Sequence, residues 1–280
     1  MVIDAHQHFW KYDAEQFGWI DDSMSVLRRD FLPGHLETVM RDAGVNGAVT
    51  VQAIETVEES EWLLSFADRH AFLLGVVGWA PLIDPNVKAH LEKLAANPKF
   101  KGVRHILQAE PDELFMLRED FNRGVSALRE FDLAYDILIH ERHLPQAIEF
   151  VDRHPDQTFV LDHLAKPRVK DGLLSPWRER ITELARRENV CSKLSGLVTE
   201  AGSRSWTLDQ IRPYMEIVLE AFSPRRLMFG SGWPVCLAAA SYKQWFDIVK
   251  DFTAGLSESE RQRVLGGTAA AVYKLNPNQE

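Results

Sequence analysis

The chain begins with the stretch Val2-Ile3-Asp4-Ala5-His6-Gln7-His8-Phe9, a short apolar run that ends in two histidines. Apolar runs without regular two-residue alternation are typical of strands buried on both faces of a parallel sheet. An open, doubly wound sheet usually has a glycine-rich phosphate turn after its first strand. Here that position holds histidine and tryptophan, so the stretch favours the first strand of a closed barrel.

Similar apolar runs recur along the chain, and segments of helical periodicity lie between them. The predicted strands are 2–9, 47–53, 73–80, 102–107, 133–140, 158–163, 190–194 and 226–231. The predicted helices are 33–43, 58–70, 87–96, 112–131, 144–154, 176–187, 208–222 and 242–254. Eight strands that alternate with eight helices predict an α/β fold of the (β/α)8, or TIM barrel, type.

The chain length of 280 residues agrees with one barrel, whose usual size is about 250 residues. We therefore expect a single barrel domain over residues 1–280. Residues 10–32 form a long first loop rich in aromatic side chains, and we expect this loop to be an ordered lid over the active site. Ser257-Glu258-Ser259-Glu260 has the spacing of a helix capping box, which predicts a further helix near the end of the chain.

Charge and composition exclude several classes of protein. The chain has 32 basic and 41 acidic residues, a formal net charge of −9, and no basic patch that would bind nucleic acid. The start of the chain lacks the features of a signal peptide, and no apolar run approaches the roughly 18 residues of a membrane span. These features predict a cytoplasmic enzyme with a small-molecule partner, and they leave the oligomeric state open.

Histidines collect at the predicted carboxyl ends of the strands, where the active site of a barrel is built. Side chains two apart on a strand point the same way, so His6 and His8 can face the barrel mouth together. Two neutral imidazoles suit zinc or a similar divalent ion. His140 and His163 end later strands, so we expect the four histidines to form one site, with His6, His8 and His163 as candidate metal ligands.

Five ordered motifs resemble those of the amidohydrolase superfamily, and most closely its sugar-lactone hydrolases of the L-fuconolactonase and L-rhamnonolactonase type. The motifs are Asp4-Ala5-His6-Gln7-His8-Phe9-Trp10, Gly102-Val103-Arg104-His105, Leu161-Asp162-His163-Leu164-Ala165-Lys166-Pro167, Lys193-Leu194-Ser195-Gly196 and Phe229-Gly230-Ser231-Gly232-Trp233-Pro234. The resemblance implies a barrel with one divalent metal ion or none. It also implies hydrolysis of an aldonolactone to the open sugar acid in carbohydrate breakdown.

The resemblance assigns expected roles to the residues of these motifs. His140 and His163 would act as catalytic groups beside the metal. The expected substrate contacts are Arg104, His105, Lys193, Trp10, Trp19 and Trp233. Arg104 and Lys193 would bind sugar oxygens and stabilise the oxyanion, and the tryptophans would stack on the sugar. His105 follows Arg104 and so should face away from the barrel axis, which leaves its substrate role open.

Gly232 departs from the resemblance. The last strand of these enzymes normally ends Gly-Ser-Asp-Trp-Pro, and the aspartate ligates the metal or takes the proton of the attacking water. Glycine has no carboxylate and can do neither. The substitution is an engineered inactivation, a natural loss, or a sign that another group is the base. Asp162 is the nearest candidate, but regular alternation along the strand points it away from the side that His163 faces.

Three functions therefore remain open on the sequence alone. The first is hydrolysis of a sugar lactone, impaired by Gly232. The second is a non-catalytic protein that binds a lactone or a sugar acid. The third keeps the barrel but changes the reaction to decarboxylation or amide hydrolysis, because one fold supports many reactions.

Overall fold

A computed structural model of the protein describes residues 1–202 and 205–276. Eight strands form one sheet, in which neighbouring strands are parallel and follow one another in chain order. The strands are β1 Ile3–Gln7, β2 Gly47–Val51, β3 Leu73–Gly78, β4 Phe100–His105, β5 Ala134–Ile137, β6 Phe159–Leu161, β7 Val190–Leu194 and β8 Leu227–Phe229.

The sheet closes between β1 and the segment that follows β8. The backbone N–H of Gly232 donates to the His6 carbonyl at 2.8 Å, and that of His8 donates to the Trp233 carbonyl at 2.7 Å. Gln7 and Trp233 form a parallel bridge at the same place. This closure confirms the predicted (β/α)8 barrel and places Gly232 on the seam.

Helices surround the barrel. They are α1 Pro33–Ala43, α2 Val57–Arg69, α3 Val87–Ala95, α4 Glu119–Ala127, α5 Leu144–Asp152, α6 Trp177–Leu184, α7 Leu197–Glu200, α8 Leu208–Phe222, α9 Tyr242–Phe252, α10 Glu258–Gln262 and α11 Thr268–Val272. Among the described helices, none has the length and apolar character needed to cross a membrane.

Local sequence sets several helix ends. Gly44 adopts φ +78° directly after α1, a left-handed conformation that glycine tolerates best. Ser257 and Glu260 form the predicted capping box before α10, and the Ser257 N–H donates to Glu260 Oε2 at 3.0 Å. The helix predicted over 112–131 is much shorter, because Arg118 has an extended backbone with ψ 142° and α4 begins only after it.

The long first loop is ordered by backbone pairing and by aromatic packing. Trp10 and Phe31 exchange two backbone hydrogen bonds of 3.0 and 2.9 Å, which bring the two ends of the loop together. Within the loop, the side chains of Phe17 and Ile20 are buried, and residues Asp22–Leu27 form a short 3-10 helix. The loop therefore packs as part of the barrel mouth.

Two apolar regions stabilise the barrel. The larger lies between the strands and the outer helices, and the smaller lies inside the barrel. Interior members are Ile3, Val51, Val77, Ala134, Val160, Cys191 and Met228. Two positions further along the chain from Ala134, Val160 and Cys191 lie charged residues, which form the floor of the site.

Candidate active site

A cavity of about 420 Å³ opens at the carboxyl ends of the strands. Its polar lining residues are His8, Gln16, Glu55, Arg104, Gln108, His163, Lys166, Thr199, Glu200 and Ser231. Its apolar and aromatic lining residues include Trp10, Trp19, Ile54, Ile106, Leu138 and Val235. A cavity with one aromatic side and many polar groups suits a small polar ligand that also has an apolar face.

His6 and His8 face each other at the base of this cavity. Their Nε2 atoms lie 3.1 Å apart. The other ring nitrogen of each histidine has an acceptor, since His8 Nδ1 lies 2.8 Å from the Val51 carbonyl and His6 Nδ1 lies 3.2 Å from Asp162 Oδ1. The Val51 carbonyl can only accept, so His8 carries its proton on Nδ1 and turns its Nε2 lone pair toward His6. His6 Nδ1 also lies 3.2 Å from Lys193 Nζ, so Asp162 and Lys193 compete for that atom. A cation between the two Nε2 atoms suits the form in which both protons lie on Nδ1.

Both histidines are neutral near pH 7. Burial lowers the pKa of His6 well below its usual range. Burial, and after it the nearby Arg104 guanidinium, lower the pKa of His8 to about 3. Neutral imidazoles are the form that binds a metal ion.

His163 joins this pair from the turn after β6. Its ring centroid lies 4.3 Å from that of His6, and its Nδ1 lies 2.8 Å from the hydroxyl of Ser195. Burial also lowers the pKa of His163 well below its usual range. The structure thus brings together the three histidines that the sequence predicts as metal ligands.

The turn that carries His163 has an unusual backbone. His163, Leu164, Ala165 and Lys166 all have positive φ, between 50° and 59°. A left-handed run of residues other than glycine is strained, and such strain concentrates at functional sites. The turn also corrects the expectation for Asp162, because β6 ends at Leu161 and Asp162 and His163 both face the site.

Asp162 is the anionic centre of a buried group that we call the charged layer: Arg104, Asp136, Asp162 and Lys193. Arg104 Nη1 lies 3.0 Å from Asp162 Oδ2, and Lys193 Nζ lies 2.9 Å from Asp162 Oδ1. Lys193 also pairs with Asp136, whose two carboxylate oxygens both lie 2.9 Å from the Tyr273 hydroxyl and share its proton. Burial raises the pKa of Asp162, but Lys193 and His6 outweigh that effect and hold it well below its usual range.

A divalent ion fits the three histidines. Donor atoms of His6, Asp162 and His163 lie within 4.8 Å of one another, and His8 adds a further Nε2 beside that of His6. Three imidazoles with one open position are the donor set of many catalytic zinc sites. Because Asp162 already binds Arg104 and Lys193, its main effect is to orient His6.

Lys193 and His105, two of the expected substrate contacts, have other partners in the structure. Lys193 is fully buried in the charged layer, below the described residues that line the cavity. His105 faces outward from the barrel and lies against Phe115, with ring centroids 5.0 Å apart and planes at 4°. Neither side chain is among the described lining residues, because each is taken up by partners elsewhere.

Arg104 does reach the cavity, as predicted. Besides Asp162, its guanidinium contacts Gln52, whose side-chain Oε1 accepts from Nη2 at 3.0 Å. The side chain is only 3% exposed, so its positive charge acts in surroundings that screen it poorly.

Of the three tryptophans and His140, two line the cavity and two are not among its described lining residues. Trp10 and Trp19 line the cavity, and Trp19 is 48% exposed. Trp233 is buried against Phe31, with ring centroids 5.1 Å apart. His140 lies three residues beyond the end of β5, and burial, then Lys166 and Arg142, lower its pKa to about 4. Trp233 and His140 are not among the described residues that line the cavity, and their expected roles stay predictions.

Gly232 lines the cavity next to His163. Its φ is +64°, and a Cβ added there would lie 3.9 Å from His163 Cε1 without a closer neighbour. The position therefore has room for a side chain that points at the histidines, although a residue other than glycine would carry some backbone strain.

Sequence reasoning missed three charged residues of the cavity: Glu55, Lys166 and Glu200. Burial lowers the pKa of Lys166 and raises that of Glu200, and the two charges interact. Lys166 stood in a quoted motif without an assigned role. Glu55 lies shortly after β2, and Glu200 lies shortly after β7. Their closeness to the strand ends was the signal that could have identified them.

Comparison with known proteins gives the family. The sequence pattern of the family described as amidohydrolase matches residues 3–275. The chain is 42% identical over 284 residues to an L-fucono-1,5-lactonase of Burkholderia multivorans, with 98% of this chain and 96% of that protein covered.

Two solved structures of an amidohydrolase from Burkholderia multivorans agree closely with this fold. One, with bound HEPES, has a TM-score of 0.95 at 40% identity and covers 99% of this chain and 100% of its own. The other, with bound zinc, has a TM-score of 0.93 at 41% identity and the same coverage. The chain belongs to the amidohydrolase family.

Proposed function

We propose that this protein hydrolyses a sugar lactone to the open sugar acid in the cavity at the barrel mouth. The observation that carries the proposal is the position of His8, His163 and Arg104 around one polar cavity with an aromatic side. The similarity to an L-fucono-1,5-lactonase over nearly the whole chain supports the same substrate class. A cytoplasmic location and a small-molecule partner, without nucleic acid, belong to this proposal.

Lactone hydrolysis requires a water molecule that loses a proton and a carbonyl oxygen that gains negative charge. Arg104 is positively charged and lines the cavity, so it can stabilise the oxyanion. His163 is neutral and its Nδ1 is occupied by Ser195, so its Nε2 is the ring nitrogen left for a metal ion or a ligand. Trp10 and Trp19 offer aromatic faces to the sugar ring.

His6, His8 and His163 would hold one divalent ion such as zinc, which when bound supplies a Lewis acid and lowers the pKa of water. Asp162 holds His6, and Ser195 holds His163, through contacts between protein atoms. These two rings therefore keep their orientation with or without the ion.

A second candidate function is the binding of a lactone or sugar acid without turnover. Gly232 favours it, because the position that faces His163 has no carboxylate. Ligand binding does not need that carboxylate, whereas proton transfer from water is slowed when the acceptor is lost, typically by a factor of about 100 to 10,000.

Proton release from a panel of sugar lactones that includes L-fucono-1,5-lactone tests the proposal. We expect acid to form from at least one lactone at a rate above the spontaneous reaction. Decarboxylation of an aromatic acid or hydrolysis of an amide, with every lactone left intact, would overturn the proposal. Saturable binding of a lactone without any acid formation would favour the second candidate.

A further inference from the structure

One wall of the cavity carries two hydrogen-bond acceptors to which the preceding reaction scheme gives no role. Glu55 lies four residues after β2, and Gln108 lies three residues after β4. Both side chains line the cavity. Their chemistry suits ligand groups that donate hydrogen bonds.

The carboxylate of Glu55 is held through one oxygen only. Oε1 accepts the backbone N–H of Ile106 at 2.7 Å and lies 3.1 Å from His105 Nδ1. No hydrogen bond to Oε2 occurs within residues 1–202 and 205–276, and the side chain is 33% exposed in the cavity wall. One oxygen is therefore fixed to the barrel and the other is available to a ligand.

His105 is itself fixed from several sides. Its Nε2 lies 2.6 Å from Glu110 Oε1, and the Trp79 indole N–H reaches its Nδ1 at 3.2 Å. Its ring lies parallel to that of Phe115. Nδ1 accepts from the Trp79 N–H, so it has no proton for Glu55, and the fixed ring limits the positions of the Glu55 carboxylate by contact alone.

Gln108 supplies an independent observation. Its Oε1 is buried and has no hydrogen-bond partner among the described residues. A buried acceptor without a partner is unfavourable by an amount comparable to a lost hydrogen bond. Because the residue also lines the cavity, rotation of its amide would bring Oε1 to a ligand hydroxyl.

We propose that Glu55 and Gln108 accept hydrogen bonds from hydroxyl groups of the bound ligand, and that His105 is a positioning residue that acts through Glu55. This inference rests on the proposed function and assigns the substrate class to a polyhydroxylated ring. Sites built to bind a hydroxyl reject an analogue that lacks it far more strongly than apolar sites discriminate between substrates. Glu55 and Gln108 therefore determine which lactones bind.

The test measures binding rather than turnover, so it does not depend on Gly232. Dissociation constants are determined by calorimetry for a sugar lactone, its open acid, and matched analogues that each lack one hydroxyl. We expect the unaltered protein to bind at least one deoxy analogue ten-fold or more weakly than its parent. Glu55→Ala should remove that preference, and the exposed Glu130→Ala variant should retain it.

A double-mutant cycle separates positioning from a general structural role. His105→Ala removes the ring that contacts Glu55, so it should reduce the hydroxyl preference when Glu55 is present. In the Glu55→Ala background the same change should have no further effect on the preference. Glu55→Gln retains an acceptor for the Ile106 N–H, and it serves as the second variant if Glu55→Ala does not fold.

Three results would overturn the inference. The first is a Glu55 variant that keeps the full hydroxyl preference. The second is a His105→Ala effect of equal size with and without Glu55. The third is a protein that binds neither lactone nor acid at millimolar concentration, which would overturn the proposed function as well. Hydroxyl-dependent binding without hydrolysis of any lactone, by this protein or by Gly232→Asp, would instead contradict the proposed function alone.

Discussion

The barrel interior has two levels that differ in chemistry although they lie on the same strands. Ala134, Val160 and Cys191 form an apolar layer with the other interior hydrophobic residues. Two residues further along the chain are Asp136 on β5, Asp162 directly after the end of β6, and Lys193 on β7, all of the charged layer. Side chains two apart on a strand share a face, so each charge lies directly above an apolar group.

This contrast separates stability from function. Burial of the apolar layer stabilises the fold at about 25 cal/mol for each Å² removed from water. Burial of charges in the layer above has a large desolvation cost, which their mutual attraction offsets only when the pairing is complete. The charged layer also orients His6, whose Nδ1 lies 3.2 Å from both Asp162 Oδ1 and Lys193 Nζ.

The largest effect should follow from breaking the charged layer at its centre. Asp162→Asn keeps the shape of the side chain but leaves Arg104 and Lys193 with a single buried carboxylate, Asp136. We expect a loss of about 3 to 5 kcal/mol in the free energy of unfolding, measured in urea. Glu130→Gln breaks the exposed pair with Lys88 and should cost less than about 1 kcal/mol. Equal losses in the two variants would contradict the contrast between the layers.

A change of pH acts on the histidines above the charged layer but not on the apolar layer. The pKa of His8 is about 3 in the folded protein, below the value near 6.5 expected for the unfolded chain. Between those values the unfolded chain binds a proton that the native state does not, so stability falls as the pH falls.

In chelator-treated protein, His8→Asn should therefore remove about 1.4 kcal/mol per pH unit from the slope of unfolding free energy between pH 4 and 6. Over those two units the effect is roughly 3 kcal/mol. Urea unfolding at a series of pH values measures it. Identical slopes for the variant and the unaltered protein would show that burial does not keep His8 neutral.

The smallest of the three effects should come from the apolar layer. Val160→Ala removes two buried methyl groups and should lower the free energy of unfolding by roughly 2 kcal/mol. Because Val160 is 0% exposed and lies below the charged layer, ligand affinity per folded molecule should not change. A ligand affinity that falls together with stability would mean that the two layers are not separate in function.

The fold was predictable because its signals are local. Helical periodicity, Gly44 and the Ser257 capping box depend on residues close in sequence, and the bounds of α1 and α8 match the predicted helices. His6, His8 and His163 were also predictable, since strand ends in a barrel converge.

Other parts of the site depend on contacts between distant segments. Regular alternation predicted that Asp162 and His163 point apart, but the strained turn after Leu161 turns both inward. Lys193 was expected at the cavity, yet its position two residues before Ser195 places it in the buried layer. Glu55 lies in a loop without periodicity, and only the contacts with His105 and Ile106 show how it is held.

The central claim is that the cavity is a lactonase site whose proton transfer is limited at Gly232. The rate of acid formation from L-fucono-1,5-lactone, compared among the unaltered protein, Gly232→Asp and Gly232→Asn, tests it most directly. Both substitutions place a side chain of similar size at the same left-handed backbone position, and aspartate and asparagine tolerate that conformation better than most residues.

The account predicts a rate at least about 100-fold higher for Gly232→Asp than for the unaltered protein, with Gly232→Asn unchanged, because only aspartate restores a proton acceptor. Circular dichroism of the three proteins controls for folding. A folded Gly232→Asp protein that hydrolyses the lactone no faster than Gly232→Asn would contradict the claim.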